Sequence, residues 1–396
     1  MYDGLETNIP HSLMKFSDAP SLESHQLFPK RKTVEDYLEE YGQGIKRLVH
    51  FQTQVTDVYL CSENGKDLWS VQTKNIVSGK SGAREYDAVV VACGHFNVPS
   101  LPDISGIREW DQAYPGIISH SKFYQNPESF ANKKVIIVGN SASGIDIGSQ
   151  IGKVARHPVL VSQRSYSPMA FAATYKENVP QIAEFLPQHF GRKAVRFIDG
   201  RIEADIDKVV FCTGYYYSFP FLSSLQPDLI RTGERVQHLY EHLFYIKHPT
   251  LVFIGMMTQI IPFRTFEGQA AVLARIWSGR LNLPPQEVIE RWEEGVIADR
   301  GTGKPFHVLK FPLDFNYHNR MVDWALQAKD PKHGKLPPKW SDKETWARER
   351  FPAIKRSFAE QGSNRCNVRT IEELGFDYEE WKKEIAGQRS DPQRLG

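Results

Sequence analysis

A glycine-bounded turn, Gly139–Asn140–Ser141–Ala142–Ser143–Gly144, stands directly after the apolar run VIIV and directly before a helical pattern. No other feature of the chain narrows its possible folds as much. Gly139 permits a tight turn, the small Ser141 lets the backbone approach a diphosphate, and Gly144 lets helix and strand pack closely. Unpaired N–H groups at a helix start then attract phosphate oxygens. The stretch departs from the G-x-G-x-x-G pattern by carrying Ser141 at its middle position, and a turn of this kind can also form with no ligand. Its surroundings favour the ligand, because strand KVIIVG, turn NSAS, helix GIDIGSQIGKVA and strand PVLVSQ make one βαβ unit over 134–163. Ser143, Ile145 and Asp146 continue the expected cradle into the first helical turn.

The end of the second strand selects the nucleotide. An NAD site generally has an acidic residue there for the ribose 2′-hydroxyl. Here the chain reads Val161–Ser162–Gln163–Arg164–Ser165, with no carboxylate. Arg164, flanked by two hydroxyls, suits a 2′-phosphate because a guanidinium meets two phosphate oxygens at once. The alternative is a solvated surface arginine. NADPH is the expected reductant.

Further strands lie on both sides of this unit. The valine-rich DAVVVAC at Asp87–Cys93 reads as a strand buried on both faces, and DIDKVVFC at 205–212 and Thr250–Gly255 read as others. A second dinucleotide domain inserted between the strands of a first explains that order. A helical pattern runs over Thr33–Ile45, and alternation between Val49 and Lys74 predicts two strands joined by the turn Glu63–Lys66. Beyond about Arg300 the chain turns charged and tryptophan-containing, which predicts a peripheral helical extension.

Basic and acidic side chains number 49 and 47 and are interspersed, so no field favours nucleic acid or an anionic membrane as partner. No apolar run approaches the ~18 residues needed to cross a bilayer. The four cysteines form no CxxC pair, so neither a zinc site nor a disulfide framework is suggested. The expected location is cytoplasmic, and a homo-oligomer stays open.

Several stretches, taken in order, resemble flavin-containing monooxygenases. Tyr114–Pro115–Gly116 through His120 to Tyr124 looks like the family's FxGxxxHxxx(F/Y) motif, with tyrosine in place of the leading phenylalanine. LETNIPHSLMKFSD resembles its L-x-T-N-x-P segment, VVVACGH its mid-chain strand, VVFCTGYYYSFPFL its TGY motif, and FIGMMTQIIPFRTFEGQA its closing flavin-side segment. The resemblance implies that Asn8, with Thr7 beside it, lies next to the flavin and the nicotinamide and serves as the catalytic hydrogen-bonding group. It implies that Thr213, Gly214 and Tyr215 border the linkage between the domains, that Val55 and Gln269 lie toward the cofactors, and that His120 is structural. For Gln269 a plain polar helix residue is the alternative. The implied chemistry is oxygenation of a small-molecule soft nucleophile, an amine nitrogen or a sulfide sulfur, by O2 and NADPH through a flavin hydroperoxide on FAD.

The implied fold is α/β, with two nested dinucleotide-binding (Rossmann-like) domains and a C-terminal helical extension. Residues 1–130 and 206–299 form two parts of an FAD-binding domain, 131–205 an NADP-binding domain, and 300–396 the extension. The family opens with its own strand and GxGxxG turn for FAD, whereas this sequence begins six residues before Thr7 and holds no second glycine fingerprint. An FAD domain incomplete at its N-terminus is expected, from either a start placed downstream of the true one or a real shortened form. Poor flavin affinity and an unpaired apolar strand edge near Asp87–Cys93 follow from it. Two other readings compete: a Baeyer–Villiger ketone oxygenase, disfavoured because Tyr124–Gln125 stands where that group has tryptophan, and a truncated non-catalytic NADP-binding protein.

Overall fold

The computed structural model describes residues 1–63, 65–165, 174–186 and 192–389. Helices α1 (His11–Met14) and α2 (Arg31–Tyr41) come first, followed by an antiparallel meander of β1 (Thr53–Glu63), β2 (Lys66–Asn75) and β3 (Ser81–Tyr86). Glu63 pairs with Lys66 across the turn expected there. The third strand has six exposed residues and no apolar alternation, so the sequence gives no sign of it. Next come β4 (Val89–Val91) and β5 (Val98–Pro99), where the chain leaves this region.

The following unit contains α3 (Ile107–Ala113), β6 (Ile118–His120), β7 (Val135–Val138), α4 (Ala142–Ile151), β8 (Val159–Ser162) and β9 (Lys176–Val179). It continues with β10 (Ile182–Leu186), β11 (Ala194–Phe197), β12 (Ile202–Glu203) and β13 (Lys208–Phe211). Strands β6-β13-β7-β8-β9 form one sheet in that order, every neighbouring pair parallel. Val135–Val138 are all buried because both faces of the sheet are covered. Ile136, Leu160, Val209 and Phe211 meet Trp110, Phe185 and Phe197 on one side. Val135, Ile137, Val159 and Val210 meet Ile147, Ile151 and Phe130 on the other. Burying each such side chain stabilises the fold by about 1.5–3 kcal/mol.

The parallel sheet extends beyond the span 131–205. Strands β6 and β13 lie outside 131–205, yet both belong to the parallel sheet, with β13 seated between β6 and β7. A parallel strand needs a hydrogen-bonded neighbour, and for Val209–Phe211 that neighbour is Ile136–Val138 rather than a strand of the outer region.

The chain returns through β14 (Tyr215–Tyr216), which pairs antiparallel with β5, to β15 (Leu239–Tyr240), β16 (Phe244–Tyr245) and β17 (Leu251–Phe253). A second sheet runs β15-β16-β17-β4, with β17 and β4 parallel. Residues 87–93 were expected to be buried on both faces, but only Val89–Val91 is strand, and Val90 is 43% exposed. Among the described residues β4 is an edge strand held by β17 alone. Fully buried Trp69 ties the meander to this sheet, its indole N–H donating to Thr250 Oγ1 at 2.9 Å.

Among the described residues five α-helices follow: α5 (Pro262–Trp277), α6 (Gln286–Arg300), α7 (Leu313–Ala325), α8 (Asp342–Glu360) and α9 (Tyr378–Arg389). Pro262 opens α5 at a position where its missing N–H costs nothing. A reciprocal box between Ser341 and Glu344 caps α8. Helices α7 to α9 form the helical extension expected beyond Arg300, but α7 and α8 are packed rather than peripheral. Tyr317, Met321 and Ala325 of α7 pack into the core with Val272 and Leu243, while Trp346, Ile354 and Phe358 of α8 share a core with Leu13, Met14 and Phe28 from the start of the chain. The charged residues that suggested a solvated face alternate with these buried apolar positions. No helix of the described residues is long and apolar enough to cross a membrane.

Candidate functional site

The glycine turn leaves the C-terminal end of β7 at the point where the sheet order reverses, since β7 is flanked by β8 on one side and β13 on the other. Open α/β sheets bind ligands outside such points. Gly139 has φ 108°, and a Cβ there would lie 2.6 Å from the carbonyl oxygen of Cys212. A Cβ on Gly144 would lie 2.0 Å from the carbonyl oxygen of Gly139. Both positions therefore exclude every other residue. Ser141, the exposed N-cap of α4, makes no capping hydrogen bond with its side chain, which leaves its hydroxyl and the first N–H groups of α4 available to a ligand. Ser143 and Ile145 are half-buried in that first turn. Asn140 Nδ2 donates to Gln163 Oε1, tying the turn to the end of β8. Arg164 follows at once, exposed and with no ion-pair partner among the described residues.

At the end of β13, Thr213, Gly214 and Tyr215 lie where the chain crosses between the two sheets. Thr213 donates its hydroxyl to the Ser100 carbonyl, the Ser100 N–H donates to Gly214 O at 2.9 Å, and Tyr215 pairs with Pro99. Buried His120 reaches the same carbonyl of Gly214 through Nε2 at 3.1 Å, and its Nδ1 accepts from the Lys122 N–H. Burial, more than any neighbouring charge, lowers the pKa of this imidazole, so the neutral ring acts as a tie. Lys304 adds a clamp from outside, donating to Ser100 Oγ at 2.7 Å over the ring of Tyr216.

The segment carrying Thr7 and Asn8 lies against the outer face of α4. Thr7 N–H donates to Pro29 O at 2.9 Å and its hydroxyl to Ile9 O at 2.8 Å. A small cavity of about 60 Å³ is lined by Asn8, Ala142, Ile145, Asp146, Lys355 and Arg356, among others. Asn8 and the first turns of α4 thus share a wall.

The sequence profile of the flavin-binding monooxygenase-like family matches residues 1–181 and 180–294. This chain belongs to the flavin-binding monooxygenase-like family. It is 35% identical over 292 residues to the thiol-specific monooxygenase of Saccharomyces cerevisiae, covering 70% of this chain and 65% of that one. With flavin-containing monooxygenase FMO GS-OX1 of Arabidopsis thaliana it shares 34% over 298 residues, 72% of this chain and 62% of the relative. The chain therefore spans just under two thirds of the length of these two relatives. In three dimensions it is similar to the S-allyl-L-cysteine S-oxygenase of Allium sativum, with TM-score 0.77 and 25% identity over 98% of this chain and 84% of that one.

In this member of the family, two expected residues lie apart from the cluster just described. Val55 is 38% exposed at the register shift of β1, in the antiparallel meander. Gln269 is fully buried, with its Oε1 accepting from the Gly255 N–H at 3.0 Å and its Nε2 donating to Tyr317 at 2.9 Å. Its amide joins α5, α7 and the end of β17.

Tyr2 and Lys355, unlike Asp146, had no signal in the sequence. Asp146 accepts from Tyr2 Oη and from Gln150 Nε2 at 3.3 Å, and burial raises its pKa. Tyr2 is pushed up too, first by burial and then by the Asp146 charge. Lys355 of α8 donates to the carbonyl of Thr7 at 2.8 Å, 348 positions away along the chain. Nothing in the local pattern of DKETWARERFPAIKRSFAE distinguishes it from a solvated lysine.

Proposed function

We propose that this chain reads NADPH and directs oxygen transfer in an FAD-dependent monooxygenase acting on a soft nucleophile, a sulfide sulfur or an amine nitrogen. The observation that carries this is the cradle of Gly139 and Gly144, too tight for any Cβ, opening at the sheet reversal beside Arg164. The net reaction is substrate, O2, NADPH and a proton giving oxygenated substrate, water and NADP+. The flavin, when bound, supplies hydride acceptance and oxygen activation.

The residues of the chain bind and orient. The N–H groups at the start of α4, with Ser141 and Ser143, face the diphosphate of the reductant. Arg164 meets the 2′-phosphate, which separates NADPH from NADH. Asn8 offers an amide at the reacting centre, from the wall it shares with Ile145 and Asp146. His95, at the C-terminal end of β4, is buried with neither ring nitrogen bonded to a described residue, and burial lowers its pKa to about 4. A neutral imidazole in that state is a free donor–acceptor pair for a flavin nucleotide. Sulfur is favoured over nitrogen as acceptor by the names of two similar proteins, a thiol-specific monooxygenase and an S-oxygenase.

The test is to titrate FAD and NADPH separately and then to follow oxygen uptake with a thioether, a tertiary amine and a ketone. Uptake with NADPH and transfer to the thioether is the expected result. Tight NADPH binding with no binding of FAD would instead favour a non-catalytic nucleotide-binding protein, and transfer to the ketone a Baeyer–Villiger enzyme.

A further inference from the structure

Lys355 is an unusual lysine. Its ammonium is largely enclosed, lies 4.1 Å from the centre of the Phe28 ring and 5.5 Å from that of Phe358, and has no carboxylate within ion-pair distance among the described residues. Its recorded hydrogen bond is to the backbone carbonyl of Thr7 at 2.8 Å. Enclosing a cation without a direct counter-ion is costly, and an apolar side chain of similar size would serve packing better. The carbonyl it holds belongs to the peptide whose N–H is that of Asn8, and both residues line the cavity against α4. We propose that Lys355 is a positioning residue for Asn8: its ammonium fixes the Thr7–Asn8 peptide and so sets the Asn8 amide against the helix of the nucleotide fold. The link to oxygen transfer rests on the role proposed above for Asn8.

The surroundings make this hold dependent on pH. Burial lowers the Lys355 pKa to about 8, opposed by the charges of Glu6 and Asp146 and assisted by Arg365. Those groups face it from the N-terminal segment, from α4 and from the turn after α8, with Arg356 on its own helix and Tyr2 behind Asp146. Glu6 is engaged by Arg365 at 3.2 Å, and Asp146 by Tyr2 and Gln150, so neither replaces the Thr7 carbonyl as partner. As pH rises through about 8 the ammonium loses its proton, and the charge that fixes the peptide is lost.

Two readouts test the proposal. In protein labelled with 15N at lysine and asparagine, the Lys355 Nζ signal should titrate near pH 8, and the backbone and side-chain amides of Asn8 should move with the same midpoint. K355M should abolish that movement and K355R should suppress it while holding Asn8 at its low-pH position. In the FAD-loaded enzyme, the fraction of NADPH consumption released as hydrogen peroxide should rise several-fold above pH 8. K355M should show the high fraction at every pH, and K355R should restore the low one. Asn8 signals that ignore both the titration and K355M would overturn the proposal, as would K355M coupling normally while N8A does not. If N8A itself couples normally, the role of Asn8 fails, and the spectra still decide whether Lys355 positions it.

Discussion

The carbonyl oxygen of Gly139 occupies the space that any side chain on residue 144 would need, 2.0 Å from an ideal Cβ. Both atoms are backbone or bonded to it, so neither can step aside by a rotamer change. Gly144→Ala must therefore push α4 away from β7 and widen the turn. A loss of roughly 1–3 kcal/mol is expected, the range for inserting a methyl group into a packed interior. Thermal melting and NADPH titration should worsen together, whereas Gly295→Ala on the exposed face of α6, where nothing lies within 4 Å of the Cβ position, should leave NADPH binding unchanged. Normal NADPH affinity in Gly144→Ala would remove the turn from the nucleotide site.

Arg164 follows Gln163 at the end of β8 and is exposed without an ion-pair partner among the described residues. A charge-assisted contact to a 2′-phosphate contributes about 1.5–3 kcal/mol. Arg164→Ala should raise the Kd for NADPH by ten- to a hundredfold, on the order of that energy, and barely change the Kd for NADH. An equal change for both coenzymes would make Arg164 a structural residue.

Asn8 and Ile145 share the cavity wall, so a change at Asn8 acts beside the start of α4, the proposed reductant site, without touching the glycine cradle. Asn8→Ala should leave NADPH-driven flavin reduction within about twofold of wild type and divert most of the oxygen consumed into hydrogen peroxide. Stopped-flow reduction and peroxide release measured on one preparation check both parts. Unchanged peroxide release would take Asn8 out of the mechanism.

What could be read from the sequence was local. The run Val135–Val138, the glycines at 139 and 144 and the hydroxyl at 141 sit within ten residues, and period and spacing reveal them. The pairing of Lys208–Phe211 with Val135–Val138 and with Ile118–His120 joins segments 73 and 91 residues apart, and apolar strands carry no label for their partners. The packing of α7 and α8 was hidden by their charged residues, because the buried stripe of Trp346, Ile354 and Phe358 is interleaved with lysine and arginine. Lys355 was invisible for the same reason, since its contact with Thr7 depends on how two chain ends meet.

His242 and His307 form a fully buried pair whose tautomers follow from their partners. The Val236 N–H donates to His307 Nε2 at 3.2 Å, so the His307 proton sits on Nδ1 and is shared with His242 Nδ1 at 3.1 Å. Burial lowers both pKa values, to about 3 for His307 and well below the usual range for His242, with nearby arginine charges adding to the shift. In the unfolded chain both would titrate near 6.5. Below that pH the unfolded state binds protons that the folded state excludes, so stability is full above about 6.5 and falls as pH drops toward 3. Each histidine contributes a slope approaching about 1.4 kcal/mol per pH unit. His242→Asn keeps an acceptor for the His307 proton and removes one titrating ring. Urea unfolding at pH 7.5, 6 and 5 should therefore show a shallower loss for the variant than for wild type. Parallel slopes would mean that the pair is already protonated in the folded protein, contrary to its enclosure.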